Sequence, residues 1–284
     1  MRILNRSRKV KCDQVNHENP PLLKVENVTK RFGGVTALEN ISFDVEKSQI
    51  VSIIGPNGAG KTTLFNCITG VASPDEGTVS FGELQSVLNS LEPYDIAALG
   101  VTRTFQTIRL FKNMTALENV MVGAHVRTWP HLYDALFRTR RVCVAEKKLR
   151  EHAHRLLDFF GLDGKAQELA KNLAYGHQRR LEMARALASE PKLILLDEPV
   201  AGMNPKEKEE FLDLIRSIRD KGVTILLIEH DMKVVMPISD KIVVLDYGKK
   251  IAEGTPKQIQ SNKQVIEAYL GKGAAADDEF AGEN

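Results

Sequence analysis

The chain lacks any apolar run long enough to cross a bilayer: its most continuous stretches, such as Leu193–Leu196 and Val223–Ile228, fall far short of the roughly 18–20 residues a spanning helix needs. No transmembrane segment is expected. Cysteine is scarce as well. Cys12, Cys67 and Cys143 stand far apart, with no C-x-x-C partner and no neighbouring histidine cluster, which argues against a disulfide framework or a zinc site and fits a reducing cytoplasm. Strong charge of one sign is also missing, the formal net charge being +2. A nucleic-acid binder usually concentrates a basic face in its folded part, so no nucleic-acid partner is expected. What asymmetry exists sits at the ends, with five Lys or Arg against two acids in residues 1–21 and one Lys against four acids in residues 272–284. The first reads as a disordered basic arm without the apolar stretch of a secretory signal, the second as a disordered acidic tail. Neither an internal repeat nor a heptad run is visible.

With 43% apolar residues in 284, the chain can build one large α/β domain, or a core carrying a smaller lobe, without covalent staples. Leu23–Val28 and Ile41–Val45 alternate apolar and polar residues, as half-buried antiparallel strands do. Ile50–Ile54, Leu193–Leu196, Thr224–Ile228 and Ile242–Leu245 are nearly continuous apolar runs, the pattern of parallel strands covered on both faces by helices. Between them, about residues 107–172, lies a stretch rich in Arg, Lys, Leu and Ala but poor in strand-like runs, which reads as a helical lobe inserted into the core. Pro256–Ile259 and Val265–Leu270 read as short amphipathic helices, the second ended by Gly271. One folded domain over residues 22–271 is therefore expected.

Chemistry concentrates at four places. Gly55, Pro56, Asn57, Gly58, Ala59, Gly60, Lys61 and Thr62 follow an apolar strand directly, and Thr63, Leu64, Phe65 and Ile68 continue as a helix with Gly70 as its cap. In that context glycines let successive amides point inward at phosphate oxygens, and the helix start adds its positive dipole end. Lys61 would neutralise the β and γ phosphates and the Thr62 hydroxyl would ligate Mg²⁺. The strand Leu193–Leu196 ends in Asp197 and Glu198, where ligands gather in open α/β sheets. Asp197 is placed to hold the metal, directly or through water, and Glu198 to polarise an attacking water. A third strand ends in Glu229, His230 and Asp231; if it lies beside that of Asp197, His230 would reach the terminal phosphate, and otherwise it is a surface histidine. Finally, Leu181, Ala184, Leu187 and Ala188 share one face of a helix, so Ala174, Tyr175, Gly176 and His177 fall where its free amides begin. That second anion-binding helix start is either an ordinary cap or a contact to a nucleotide held by a partner subunit.

The combination resembles the ATP-binding-cassette ATPases, matching that family's motifs in order from about Leu22 to Gly271. The resemblance implies a P-loop NTPase (RecA-like) core, an N-terminal antiparallel β subdomain and an inserted α-helical subdomain. It assigns Phe32 to stacking on adenine and Gln106 to the metal and to the link that joins the nucleotide site to the helical lobe and the membrane-domain contact. Leu173–His177 answers to the family signature, Ala201–Asn204 to the loop crossing a dimer interface, and His230 to the switch histidine. Two departures stand out: Ala174 replaces the signature serine, so one donor to the opposing phosphate is missing, and Asn204 stands where aspartate is usual. More closely, residues 100–119, 172–180 and 265–271 are similar to the ATPase subunits of bacterial branched-chain amino-acid importers. That implies a peripheral subunit on the cytoplasmic face of the membrane, bound to separate permease subunits. It also implies a second cassette, identical or related, and an indirect supply of solute by a binding protein.

The expected activity is ATP hydrolysis with ATP and Mg²⁺, driven by head-to-tail closure of two cassettes. Three rivals remain at this level. A soluble cassette ATPase of DNA repair or translation usually carries coiled-coil inserts, zinc modules or two cassettes in one chain, none of which is visible. A phosphate-loop kinase would have no use for the signature or the Gln106 region. A catalytically weak, nucleotide-sensing subunit is kept open by Ala174.

Overall fold

The computed structural model describes residues 20–124 and 140–270, the side chains of 140–143 and 270 excepted. The expected acidic tail, Gly271, all but the last two residues of the expected arm and the middle of the expected helical lobe lie outside those residues, as do Cys12 and the side chain of Cys143.

The chain opens with an antiparallel pair, β1 (Leu23–Phe32) and β2 (Val35–Val45), in register Leu23 to Val45. It then enters β3 (Ile50–Ile54), turns at the glycine loop and starts α1 (Lys61–Ile68). Next, β4 (Glu76–Phe81) returns to the free edge of β1, followed by the two-residue β5 (Ser86–Val87), α2 (Pro93–Leu99) and the three-residue β6 (Val101–Arg103). The helical portion contributes α3 (Ala116–Ala124) and α4 (Arg140–Phe159), then α5 (Tyr175–Leu187). The second half alternates β7 (Leu193–Asp197), α6 (Pro205–Asp220), β8 (Thr224–Ile228), α7 (Met232–Ile238), β9 (Lys241–Asp246) and β10 (Lys249–Gly254), before α8 (Pro256–Gln260) and α9 (Lys263–Leu270).

Two sheets result, β2-β1-β4-β5 and β10-β9-β3-β8-β7-β6. The four apolar runs all fall in the second and pair in parallel, as their composition predicts; β10 adds an antiparallel edge. Every residue of β3, β7 and β8 is buried. Their alternate side chains serve two different cores. Ile50, Ile194, Leu196, Ile225 and Leu227 pack with Leu117, Val120, Leu157, Phe160 and Leu181 of the helical side. Val51, Ile53, Leu195, Leu226 and Ile228 pack instead with Leu23, Val25 and Ile41 of the β layer and with Leu64 and Phe65 of α1. A strand buried on both faces gains nothing from alternation, which is why these runs read as continuous. Among the described residues no helix is long and apolar enough to cross a membrane.

Candidate active site

Because β8 lies between β3 and β7, with Ile228 paired to both Ile53 and Asp197, the carboxyl ends of all three strands open on one crevice. This placement meets the condition on which His230 depended. The crevice is a cavity of about 440 Å³ walled by Asn57, Gly58, Ala59, Gly60, Lys61, Thr62 and Thr63, by Gln106, and by Asp197 and Glu198. A larger cavity, about 660 Å³, is lined by Ser48, Lys192 and Thr224 at the opposite ends of the same strands and holds none of the motif residues; chemistry, not volume, selects between them.

The loop out of β3 is possible only with its glycines. At Gly55 a Cβ would stand 2.1 Å from the Leu245 carbonyl oxygen, and at Gly60, where φ is +99°, 2.5 Å from that of Ala37. Lys61 is 8% exposed and its Nζ donates to the carbonyls of Gly55 and Pro56, at 2.5 and 3.0 Å. The ammonium is thus folded back over the loop that its backbone defines. Asp197 is buried, and its Oδ2 accepts from Arg103 at 2.9 Å; the same guanidinium donates to Asn66 on α1 at 2.7 Å. Glu198 begins the turn out of β7 with φ +45°, a left-handed conformation rare for a residue with a Cβ. It is fixed by its amide donating to Ile228 O at 3.0 Å. Both carboxylate oxygens of Glu198 are engaged: Oε2 accepts from Gln106 Nε2 at 3.0 Å and Oε1 lies 3.3 Å from His230 Nδ1. Behind them Glu229 is 2% exposed, with one carboxylate oxygen lacking a hydrogen-bond partner, and burial pushes its carboxyl up from 4.5 to about 7 despite His230 beside it.

The residues fit a magnesium-bound triphosphate. The Thr62 hydroxyl and the Asp197 carboxylate are hard oxygen donors on the wall of one cavity, and Mg²⁺ characteristically takes one or two protein oxygens and completes its shell from phosphate and water. Gln106 turns its amide nitrogen to Glu198, leaving its carbonyl oxygen as the end able to face a cation.

Other predicted residues lie apart. Phe32 is half exposed, with Lys30 Nζ 5.4 Å from its ring centroid, and is not part of the cavity wall; the aromatic at the wall is Tyr247, which the sequence reading did not single out. Ala174, Gly176 and His177 line a separate concavity with Arg180 and Glu207. Ala174 is the N-cap of α5 and its side chain makes no capping bond. Tyr175 turns its hydroxyl to the Ala201 carbonyl at 3.0 Å, tying the helix start to the loop before α6. Arg103, to which the sequence analysis gives no role, is the direct partner of Asp197; no local signal points to it, because β6 spans only three residues.

A phosphate loop between strand and helix, with strand-end carboxylates beside it, defines a P-loop nucleoside triphosphatase. The sequence profile of the ABC transporter family matches residues 38–201, and that of the branched-chain amino acid ATP-binding cassette transporter family matches residues 249–275. The high-affinity branched-chain amino acid transport ATP-binding protein LivG of Salmonella typhimurium is 47% identical over 253 residues, covering 89% of this chain and 98% of that protein. Among solved structures, a nucleotide-free ATP-binding cassette from an ABC transporter superposes with TM-score 0.76 at 35% identity, covering 88% of this chain and 99% of the other. A dimeric cassette in a post-hydrolysis state with ADP and Pi gives TM-score 0.69 at 27% identity, covering 82% and 98%. The chain belongs to the ABC transporter family and is an ATP-binding cassette ATPase.

Proposed function

We propose that this cassette powers import of branched-chain or similar hydrophobic amino acids through separate permease subunits, from the cytoplasmic face of the membrane. The observation that carries the hydrolytic half of the reading is the double engagement of Glu198, by Gln106 on one oxygen and His230 on the other, beside the loop of Lys61. In this reading the amides of residues 55–63 and the Lys61 ammonium hold the phosphates, and Phe32 stacks on adenine. Thr62, Asp197 and the side-chain carbonyl of Gln106 would hold Mg²⁺, which would offset charge on the phosphate oxygens. Glu198 orients a water and takes its proton as the water oxygen bonds to the γ-phosphorus and the bond to ADP breaks. His230 steadies the γ-phosphate opposite it.

A second cassette, identical or related, completes the site: the start of α5, with Ala174–His177, faces the partner's nucleotide, and its separation from this chain's own cavity supports that division. The dimeric relative with ADP and Pi supports the pairing of two cassettes. The name of the LivG relative supports the solute class. A groove of about 380 Å³ between the core and the helical portion, carrying Phe105 and the exposed Phe111 beside the Gln106 loop, supports permease docking there. A solute-binding protein acts indirectly, through the permeases.

The test is ATP turnover by the complex purified with its permeases, with and without the solute-binding protein loaded with leucine. Stimulation by the loaded protein is expected, and turnover indifferent to it would refute the transport assignment. Lys61→Ala should abolish ATP binding; unchanged affinity would refute the phosphate-loop assignment.

A further inference from the structure

No step above uses Arg179 or Glu182, although each is only 2% exposed and they face one another on α5 at 3.1 Å. Burying such a pair carries a desolvation penalty that apolar side chains of similar bulk would avoid, so its partners matter. One terminal nitrogen of Arg179 donates to the Phe105 carbonyl at 2.8 Å and to Glu182 Oε2, and the other donates to the Gln106 carbonyl. Glu182 Oε1 accepts from the Arg109 amide at 3.1 Å. A single ion pair thus grips three backbone groups of residues 105–109. That segment follows β6, whose parallel pairing with β7 ends at Arg103 and Leu195.

The stretch from Arg103 to Gln106 reaches both strand-end carboxylates. Arg103, with the Phe105 ring 5.2 Å from its guanidinium, holds Asp197, and Gln106 holds Glu198. The Arg109 guanidinium sits 4.0 Å from the centroid of that ring. Contacts thus run from α5 through the pair to residues 105–109, and from Gln106 to Glu198.

We propose that Arg179 and Glu182 are positioning residues for hydrolysis, fixing residues 105–109 to α5 so that the helix whose start faces the partner's nucleotide sets the placement of Gln106 against Glu198. The inference rests on the proposed function, which makes Glu198 the hydrolytic carboxylate. The planar fork of Arg179 is what spans two consecutive carbonyls and a carboxylate; a lysine retains the charge without that geometry.

The test measures kcat and KM for ATP in the assembled complex for Arg179→Lys, alone and in a Gln106→Ala background. Arg179→Lys is expected to lower kcat by about tenfold or more, toward the roughly hundredfold that a misplaced catalytic group can cost, with KM for ATP within about twofold, because the phosphate loop is untouched. In the Gln106→Ala background the same change should cost nothing further, since residues acting through one another are non-additive. Wild-type kcat in Arg179→Lys, a KM that rises with the loss, or an equal fold-loss in both backgrounds would overturn the proposal. The double variant Arg179→Met with Glu182→Leu removes both charges while keeping bulk; it applies the same criteria should the lysine variant not fold. Glu198→Gln, run alongside, separates the two failures: wild-type turnover there sinks the reading of the site, whereas its loss of turnover beside an unaffected Arg179→Lys sinks the positioning role alone. Gln106→Ala at wild-type rate removes the link through which the pair acts, and the inference falls with it.

Discussion

Glu198, the carboxylate proposed to direct water, is held by a left-handed backbone and two side-chain partners at 3.0 and 3.3 Å. Replacing it with glutamine keeps the shape and removes the basic oxygen. Turnover should fall by on the order of 100-fold or more while ATP affinity is retained, as steady-state hydrolysis and a binding titration would show together. Glu229, one strand over, is shifted upward, opposite to a carboxyl held by a cation. Its carboxyl is raised by burial from 4.5 to about 7, so the folded state binds more protons than the unfolded chain between those values. The stability this contributes is complete below about pH 4.5 and is lost as pH rises through about 7. Glu229→Gln, neutral throughout, should therefore gain on the wild type between pH 5 and pH 8, by about 3 kcal/mol at most. Denaturant melts at the two pH values check this, and a constant difference would contradict it. Cys67 is buried as well, its thiol pushed up to about 11 by burial, which marks it as a packing residue rather than a reactive one.

At the scale of elements, loop closures and helix starts explain residues that motif matching leaves open. Asn204, standing where aspartate is usual in the family, is the N-cap of α6: its side chain accepts from the Glu207 amide at 2.9 Å, and the Glu207 carboxylate accepts the Asn204 amide at 3.0 Å. Asparagine and aspartate cap equally well, so the departure leaves this helix intact. The start of α5 is different, since Ala174 has no side-chain oxygen to offer. Ala174→Ser restores one, and ATP hydrolysis by the complex should stay level or rise modestly; complete loss would mean the helix start is misassigned. Asn119 closes the loop before α3. Its Oδ1 accepts the Phe111 amide at 2.9 Å and its Nδ2 donates to the carbonyls of Phe111 and Thr115 at 3.1 and 3.0 Å, Asn119 itself being 0% exposed. The Phe111 and Thr115 carbonyls keep backbone donors, Met114 and residue 119 itself, so Asn119→Ala should cost roughly 1–2 kcal/mol, chiefly through the Phe111 amide it leaves without an acceptor, visible as a lowered melting temperature with ATP affinity preserved.

At the scale of the whole molecule, two separate surfaces carry the proposed cycle: the crevice of Lys61, Asp197 and Glu198, and the concavity at the start of α5. On that proposal a complete site takes one surface from each of two chains. The hydrolysis-deficient Glu198→Gln chain should accordingly form a dimer with ATP and remain a monomer without it, by light scattering, if the working pair is two copies. A chain that stays monomeric with ATP and pairs only with a related cassette would mark a heterodimer.

The sequence by itself determined the parallel strands of the second sheet, because burial on both faces demands unbroken apolar runs such as Thr224–Ile228. It also determined the phosphate loop, because a turn this tight admits only glycine at Gly55 and Gly60. Short or edge elements were not legible: β6 spans three residues, β5 two, and β10 mixes charge with glycine, so each owes its pairing to a neighbouring strand rather than to its own pattern. Tertiary structure alone decided that β8 lies beside β7, that Arg103 meets Asp197 and Gln106 meets Glu198 across more than 90 residues of sequence, and that Arg179 and Glu182 are buried. Local periodicity fixes which face of a helix or strand is apolar. Which polar groups then meet depends on how separate elements pack, and that information is spread over the whole core.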